Sequence, residues 1–152
     1  MDQRLLDYLP DNAEAIDVGK RCGAHSKEQH EITHLLCQYA RRSKRIVRLK
    51  GGDPGIFGRL AEETEALEDL SLAYYVIPGI SALQAATTST GMLLTRRNLS
   101  RGFIALTPRE AAGKIAPCGK IYKSSLPTLY YMAIKAMEPI TKELLNDGVN
   151  PK

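Results

Sequence analysis

The chain has 152 residues, of which 43% are hydrophobic and 25% charged, and a formal net charge of +4. That apolar content at that length is enough to build a core, which excludes a disordered tail or a low-complexity linker. The charge excess suits an anionic ligand and falls short of a polyelectrolyte nucleic-acid binder.

The predicted elements alternate along the chain. Leu5, Leu6 and Leu9 end a short helix that stops at Pro10. Ala15 to Val18 is a short strand leading into Gly19-Lys20-Arg21. Ser26 with Gln29 forms a capping box for a helix running to about Ser43, with Ile32, Leu35, Leu36, Tyr39 and Ala40 as its buried stripe. Arg45 to Leu49 is a buried strand that delivers the loop Lys50-Gly51-Gly52-Asp53-Pro54-Gly55. A helix follows over Arg59 to Leu67, with Leu60, Ala61, Thr64 and Leu67 on one side.

Tyr74 to Ile77 is β-branched and aromatic, hence a strand, closed by Pro78-Gly79. Ser81 to Thr88 is a further helix. Leu70 to Thr95 carries no charge, but its Pro-Gly pair and Ser/Thr content mark strand, turn and helix instead of a membrane span. Phe103 to Leu106 and Thr128 to Met132 are strands, and Pro139 to Asn146 is a helix with Gly148 past its end. Strands alternating with helices predict an α/β fold with a largely parallel sheet.

Three constellations bear on chemistry. His30-Glu31-Ile32-Thr33-His34 has the H-E-x-x-H spacing of a zinc site, but a helical wheel sets both histidines with Lys27, Cys37 and Arg41 on a solvated face. No metal is therefore expected. Cys22, Cys37 and Cys118 form no CxxC pair, so reduced thiols in a cytoplasmic protein are expected and a disulfide framework is not. Arg41, Arg42, Lys44, Arg45, Arg48 and Lys50 crowd six cations into ten residues. No aromatics interleave for base stacking, so a helix C-terminus running into an outward-facing strand is preferred over a nucleic-acid patch.

The stretch Gly51-Gly52-Asp53-Pro54-Gly55-Ile56-Phe57-Gly58 is the most informative. Glycines after a strand let backbone amides approach a ligand at the carboxyl edge of a parallel sheet. It matches neither a Walker loop nor a dinucleotide fingerprint. Asp53 either accepts from a ligand or sets an Asx turn with Pro54; local chemistry leaves both open.

These residues resemble a known family. Val47 to Pro54, then Phe57-Gly58-Arg59, is similar to the signature of uroporphyrinogen-III C-methyltransferases among the tetrapyrrole methylases. Val18-Gly19-Lys20-Arg21 with Gly23, His25, Gln29, Glu31 and Ile32 resembles the family's GKRxGxH…QxEIN stretch. Pro78 to Ala82 resembles its PGxTSA turn, Gly91 with Leu94 to Arg97 its GIPLTHR, and Tyr130-Tyr131-Met132 its FYMG segment.

The resemblance implies two α/β domains, residues 1–98 and 99–152, each partial relative to the family. It implies methyl transfer from S-adenosylmethionine to two carbons of uroporphyrinogen III, an anionic tetrapyrrole, giving precorrin-2 on the way to sirohaem or cobalamin. Gly51, Gly52, Asp53, Ile56, Ser81 and Ala82 would contact the methyl donor, joined by Met132 from the second domain. Lys20 would act in catalysis, as a proton-transfer group or a carboxylate anchor. A cytoplasmic homodimer with no nucleic-acid or membrane partner is expected.

Departures from the pattern are also present. The family's GxGPGDPxLLT loop and its YDR aspartate have no counterpart, and Arg96, Ala133 and Thr107-Pro108-Arg109 stand where other residues are usual. The alternatives are therefore a fold-retaining binding or dimerisation module without turnover, or a methylase of another corrin precursor.

Overall fold

The computed structural model describes residues 3–19, 28–42, 45–108 and 126–151. The chain divides into two compact units, Met1–Ala82 and Leu83–Lys152.

In the first unit a 3-10 turn over Gln3–Tyr8 precedes a segment without regular secondary structure. Helix α1 spans Gln29–Arg42 and helix α2 spans Leu60–Asp69. The predicted cap at Ser26 lies outside the described residues. At the described start of α1, Glu31 reaches back to accept the Glu28 amide at 2.5 Å, the reciprocal half of a capping box. Ile32 of α1 and Leu67 of α2 are buried, while Leu35, Leu36, Tyr39 and Ala40 are half-buried.

The facing stripe of α1 is broader than its apolar residues indicate. Gln29 is buried, and the Cys37 thiol lies 3.8 Å from the Ala66 carbonyl of α2. Cys37 is thus turned toward α2, which corrects its predicted place on the solvated face, whereas His30 and His34 are exposed as expected. On α2 the buried positions are Glu63 and Leu67, and Ala61 is exposed. The inward line is therefore Leu60, Glu63 and Leu67, with a carboxylate in the middle.

The segments Ala15–Val18, Arg45–Leu49 and Tyr74–Ile77, predicted as strands, form neither helix nor ladder among the described residues. A parallel strand is stable when both of its faces are covered. Here Val47, Tyr75 and Ile77 are 72%, 95% and 83% exposed, so the β-prone composition lacks the covered faces a parallel ladder needs.

In the second unit, helix α3 (Ala82–Thr90) ends at Gly91, which takes φ +71°. Strands β1 (Ile104–Leu106) and β2 (Thr128–Tyr130) pair in parallel, with Ile104 opposite Thr128. This small parallel sheet carries the α/β character of the fold. A 3-10 turn, Ile134–Ala136, leads into helix α4, Met137–Asn146. Ala136 and Ile140 are buried together, with Tyr130, Ala133 and Leu144 packed against them. Gly148 at φ +85° closes α4, and the Val149 amide returns to the Leu144 carbonyl at 3.0 Å.

Candidate functional site

The glycine-rich loop after residue 50 is held to the Pro78-Gly79 turn by one carboxylate. Asp53 Oδ1 accepts the Gly55 amide at 2.8 Å, which is an Asx turn. Its Oδ2 accepts the Gly79 amide at 3.0 Å, across 26 positions of sequence. The Ile56 amide donates to the Asp53 carbonyl at 3.3 Å, rounding the loop back on itself.

The two loops touch backbone to backbone. A Cβ on Gly79 would stand 2.4 Å from the Gly52 carbonyl oxygen and 3.0 Å from its carbon. Only glycine allows that approach. Gly52 takes φ +74°, and its Cβ position faces Ile80 and Ser81 at 3.5 and 3.9 Å. Gly58 is similarly constrained, since a Cβ there would meet the Pro54 carbonyl at 2.4 Å. Phe57 and Arg59 are held at φ +53° and +55°, so left-handed residues concentrate in this one loop.

Arg59 makes a two-toothed bond to Glu62, with both N···O distances 2.7 Å. That hydrogen bond raises the guanidinium pKa above its ordinary value, and the pair sits at the entrance to α2.

Of the sequence-predicted residues, Gly52, Asp53 and the Gly79–Ser81 segment come together directly. Gly51 is exposed, with nothing within 4 Å of its Cβ position. Ile56 is 41% exposed on the same loop, and Ser81 is buried at 3% immediately before α3. Ala82, the first residue of α3, is exposed. Met132 belongs to the second unit, where it follows β2 in a left-handed conformation (φ +55°) with its side chain exposed. The neighbouring Tyr131 hydroxyl accepts the Leu83 amide at 3.0 Å, filling one of the open donors in the first turn of α3. Lys20 lies outside the described residues.

Sequence reasoning missed Glu63. Its carboxylate is 2% exposed and gathers donors from two further segments. Lys50 Nζ lies 2.9 Å from Oε2. Arg48 Nη2 and Nε lie 3.2 and 3.3 Å from Oε1, and Gln29 Nε2 donates to the same oxygen at 3.2 Å. Two members of the cation run are thus turned inward, in place of the outward-facing strand predicted, while Arg41, Arg42 and Arg45 are exposed. The signal was present as Leu60, Glu63 and Leu67, a carboxylate at an apolar helical spacing close to surplus cations.

The family model of the Tetrapyrrole (Corrin/Porphyrin) Methylases matches residues 1–152. A uroporphyrinogen-III C-methyltransferase of Methanocaldococcus jannaschii is 39% identical over 153 aligned residues, covering all of this chain and 62% of that protein. A sirohaem synthase of Tolumonas auensis is 38% identical over 149 residues, covering 97% of this chain and 32% of its own length. Among solved structures, a uroporphyrin-III C-methyltransferase of Thermus thermophilus complexed with S-adenyl homocysteine has a TM-score of 0.78 at 34% identity. It is matched over 99% of this chain and 62% of that one. The chain thus spans between about a third and about three fifths of the length of these relatives. A family match over the whole chain, on a trace shared with a solved methyltransferase, establishes that the chain belongs to the tetrapyrrole methylases.

Proposed function

We propose that this chain binds S-adenosylmethionine at the joined loops Gly51–Ile56 and Gly79–Ala82 and serves C-methylation of uroporphyrinogen III to precorrin-2, for sirohaem or cobalamin synthesis. The observation that carries this reading is the Asp53 carboxylate joining the two loops. The Thermus relative was crystallised with the demethylated form of the same donor.

The residues present suit such a ligand. Gly51 and Gly52 offer exposed backbone, and the space beside Gly51 is open. Backbone amides and carbonyls there complement the carboxylate, ammonium and hydroxyl groups of an amino-acid nucleoside. S-adenosylmethionine supplies an electrophilic sulfonium methyl.

Asp53 shapes the donor loop, and each of its oxygens keeps a further lone pair for a donor group of the ligand. Ile56 supplies apolar surface, Ser81 and Ala82 edge the second loop, and Met132 is a further donor contact on the family's pattern. Methyl transfer requires nucleophile and donor in line, away from water, and the methylated carbon then loses a proton to a base. Lys20 takes that proton or anchors a substrate carboxylate; the net charge of +4 suits a substrate carrying eight carboxylates.

In the family's two-domain arrangement, residues 1–98 belong to the first domain and 99–152 begin the second. A cytoplasmic homodimer without nucleic-acid or membrane partners completes the reading. Among the described residues no helix is long and apolar enough to cross a membrane.

Calorimetric titration with S-adenosylhomocysteine tests the proposal, and a saturable heat near one equivalent is expected. Absence of heat at millimolar ligand sinks it. A chain that binds the nucleoside yet forms no fluorescent isobacteriochlorin from uroporphyrinogen III is a binding module without turnover.

A further inference from the structure

The Glu63 cluster sits directly behind the donor loop. Lys50 is the last residue before Gly51, and its ammonium is tied to Glu63 Oε2 with its side chain 11% exposed. Arg48, two residues earlier, gives two donors to Oε1 and a third to the Leu49 carbonyl at 2.6 Å. Gln29, from the first turn of α1, closes the other side. One buried carboxylate therefore fixes two alternate side chains of the segment feeding the loop, and does so from α2, the helix the same loop leads into. The loop is clamped at its entry by Lys50–Glu63, within by Asp53, and at its exit by Arg59–Glu62.

A buried carboxylate with two cations and an amide costs desolvation on every member, and an apolar residue of similar volume often stabilises as well. Stability alone is therefore a weak reason for it. Directional bonds do something an apolar contact does not, namely fix the backbone path of Lys50. We infer that Glu63 is a positioning residue that sets the Gly51-Gly52 backbone for the methyl donor through Lys50. It follows that Arg48 and Lys50 serve this internal anion and are not anchors for the carboxylates of the substrate. The inference rests on the reading of this loop as the donor site.

The experiment compares Glu63→Gln, Lys50→Met and Lys50→Arg in the whole chain. Two quantities are read: S-adenosylhomocysteine affinity by calorimetry, and amide exchange at Gly55 and Ile56, whose amides are bonded to Asp53 within the loop, and in the interior of α1. Lys50→Met keeps Arg48 and Gln29 on Glu63, so it tests positioning even where Glu63→Gln unfolds. Its expected result is about a tenfold weaker affinity and about a tenfold faster exchange at Gly55 and Ile56, with α1 unchanged. Lys50→Arg is expected to restore both to within about threefold.

Wild-type loop exchange in Lys50→Met overturns the inference, as does equal acceleration in α1, which marks a merely structural role. If the unaltered chain binds no S-adenosylhomocysteine, the proposed function fails. The exchange data then still decide whether Glu63 sets the loop.

Discussion

The carboxylate of Asp53 receives the amide of Gly79 at 3.0 Å while a Cβ on Gly79 would lie 2.4 Å from the carbonyl of Gly52. Attraction and close approach thus act at one point and lock two loops that sequence separates by 26 positions. Replacing Asp53 with Ala removes both acceptors. Hydrogen bonds to a charged group contribute about 1.5–3 kcal/mol each, less where solvent reaches them, so a loss of about 1–3 kcal/mol is expected. Asp53→Asn should keep the Gly55 turn, which asparagine also forms, and lose the Gly79 bond. Amide exchange read separately at Gly55 and Gly79 checks this: Ala exposes both, Asn only Gly79.

Substitutions at two glycines separate folding from binding. Gly79→Ala drives a methyl group into backbone that cannot swing aside, an overpacking expected to cost about 1–3 kcal/mol in a denaturant titration. Gly51→Ala meets nothing within 4 Å, so its unfolding midpoint should match the wild type. If the open side of Gly51 faces the methyl donor, the same variant loses S-adenosylhomocysteine affinity about tenfold or more. A stable Gly51→Ala chain with unchanged affinity would move the donor site elsewhere.

What was legible from sequence follows the range of each interaction. Helices α1, α2 and α4 lie within a few residues of the predicted spans, because the apolar stripe of α1, the Leu60–Leu67 spacing and Gly148 act locally. The segments at 45–49 and 74–77 were legible as β-prone, but a ladder depends on distant partners and covered faces, which β-branched residues do not encode. Asp53 illustrates the same limit at the site. Its turn with Gly55 was a local alternative, whereas its bond to Gly79 requires the tertiary fold. Glu63 left a signal in the Leu60–Leu67 spacing, but a single charge on a short helix reads as surface until the cations that bury it are in place.

Tyr131 links the end of β2 to the start of α3 through the Leu83 amide. Tyr131→Phe keeps the ring and deletes the acceptor, leaving a first-turn amide of α3 without it. A loss of about 0.5–1.5 kcal/mol is expected, with faster exchange at Leu83. Unchanged protection at Leu83 would show that water replaces the hydroxyl at no cost.

Two tyrosines give the chain an alkaline signature. Tyr39 donates to Glu14 at 3.0 Å, and Tyr74 donates to Glu68. In each case the hydrogen bond to the carboxylate, then desolvation and the negative charge, raises the phenol pKa above its ordinary value. The sign follows from the protonated phenol being the bonded form. Each contribution to stability is present below the unfolded tyrosine pKa of about 10 and is lost as pH rises through the higher folded value. Tyrosinate absorbance in the folded chain should therefore contain a late component, reduced by one equivalent in Tyr39→Phe and by one in Tyr74→Phe. The two variants should also narrow the difference in stability between neutral and alkaline solution. A titration in which all the tyrosines ionise together at the ordinary value contradicts both bonds.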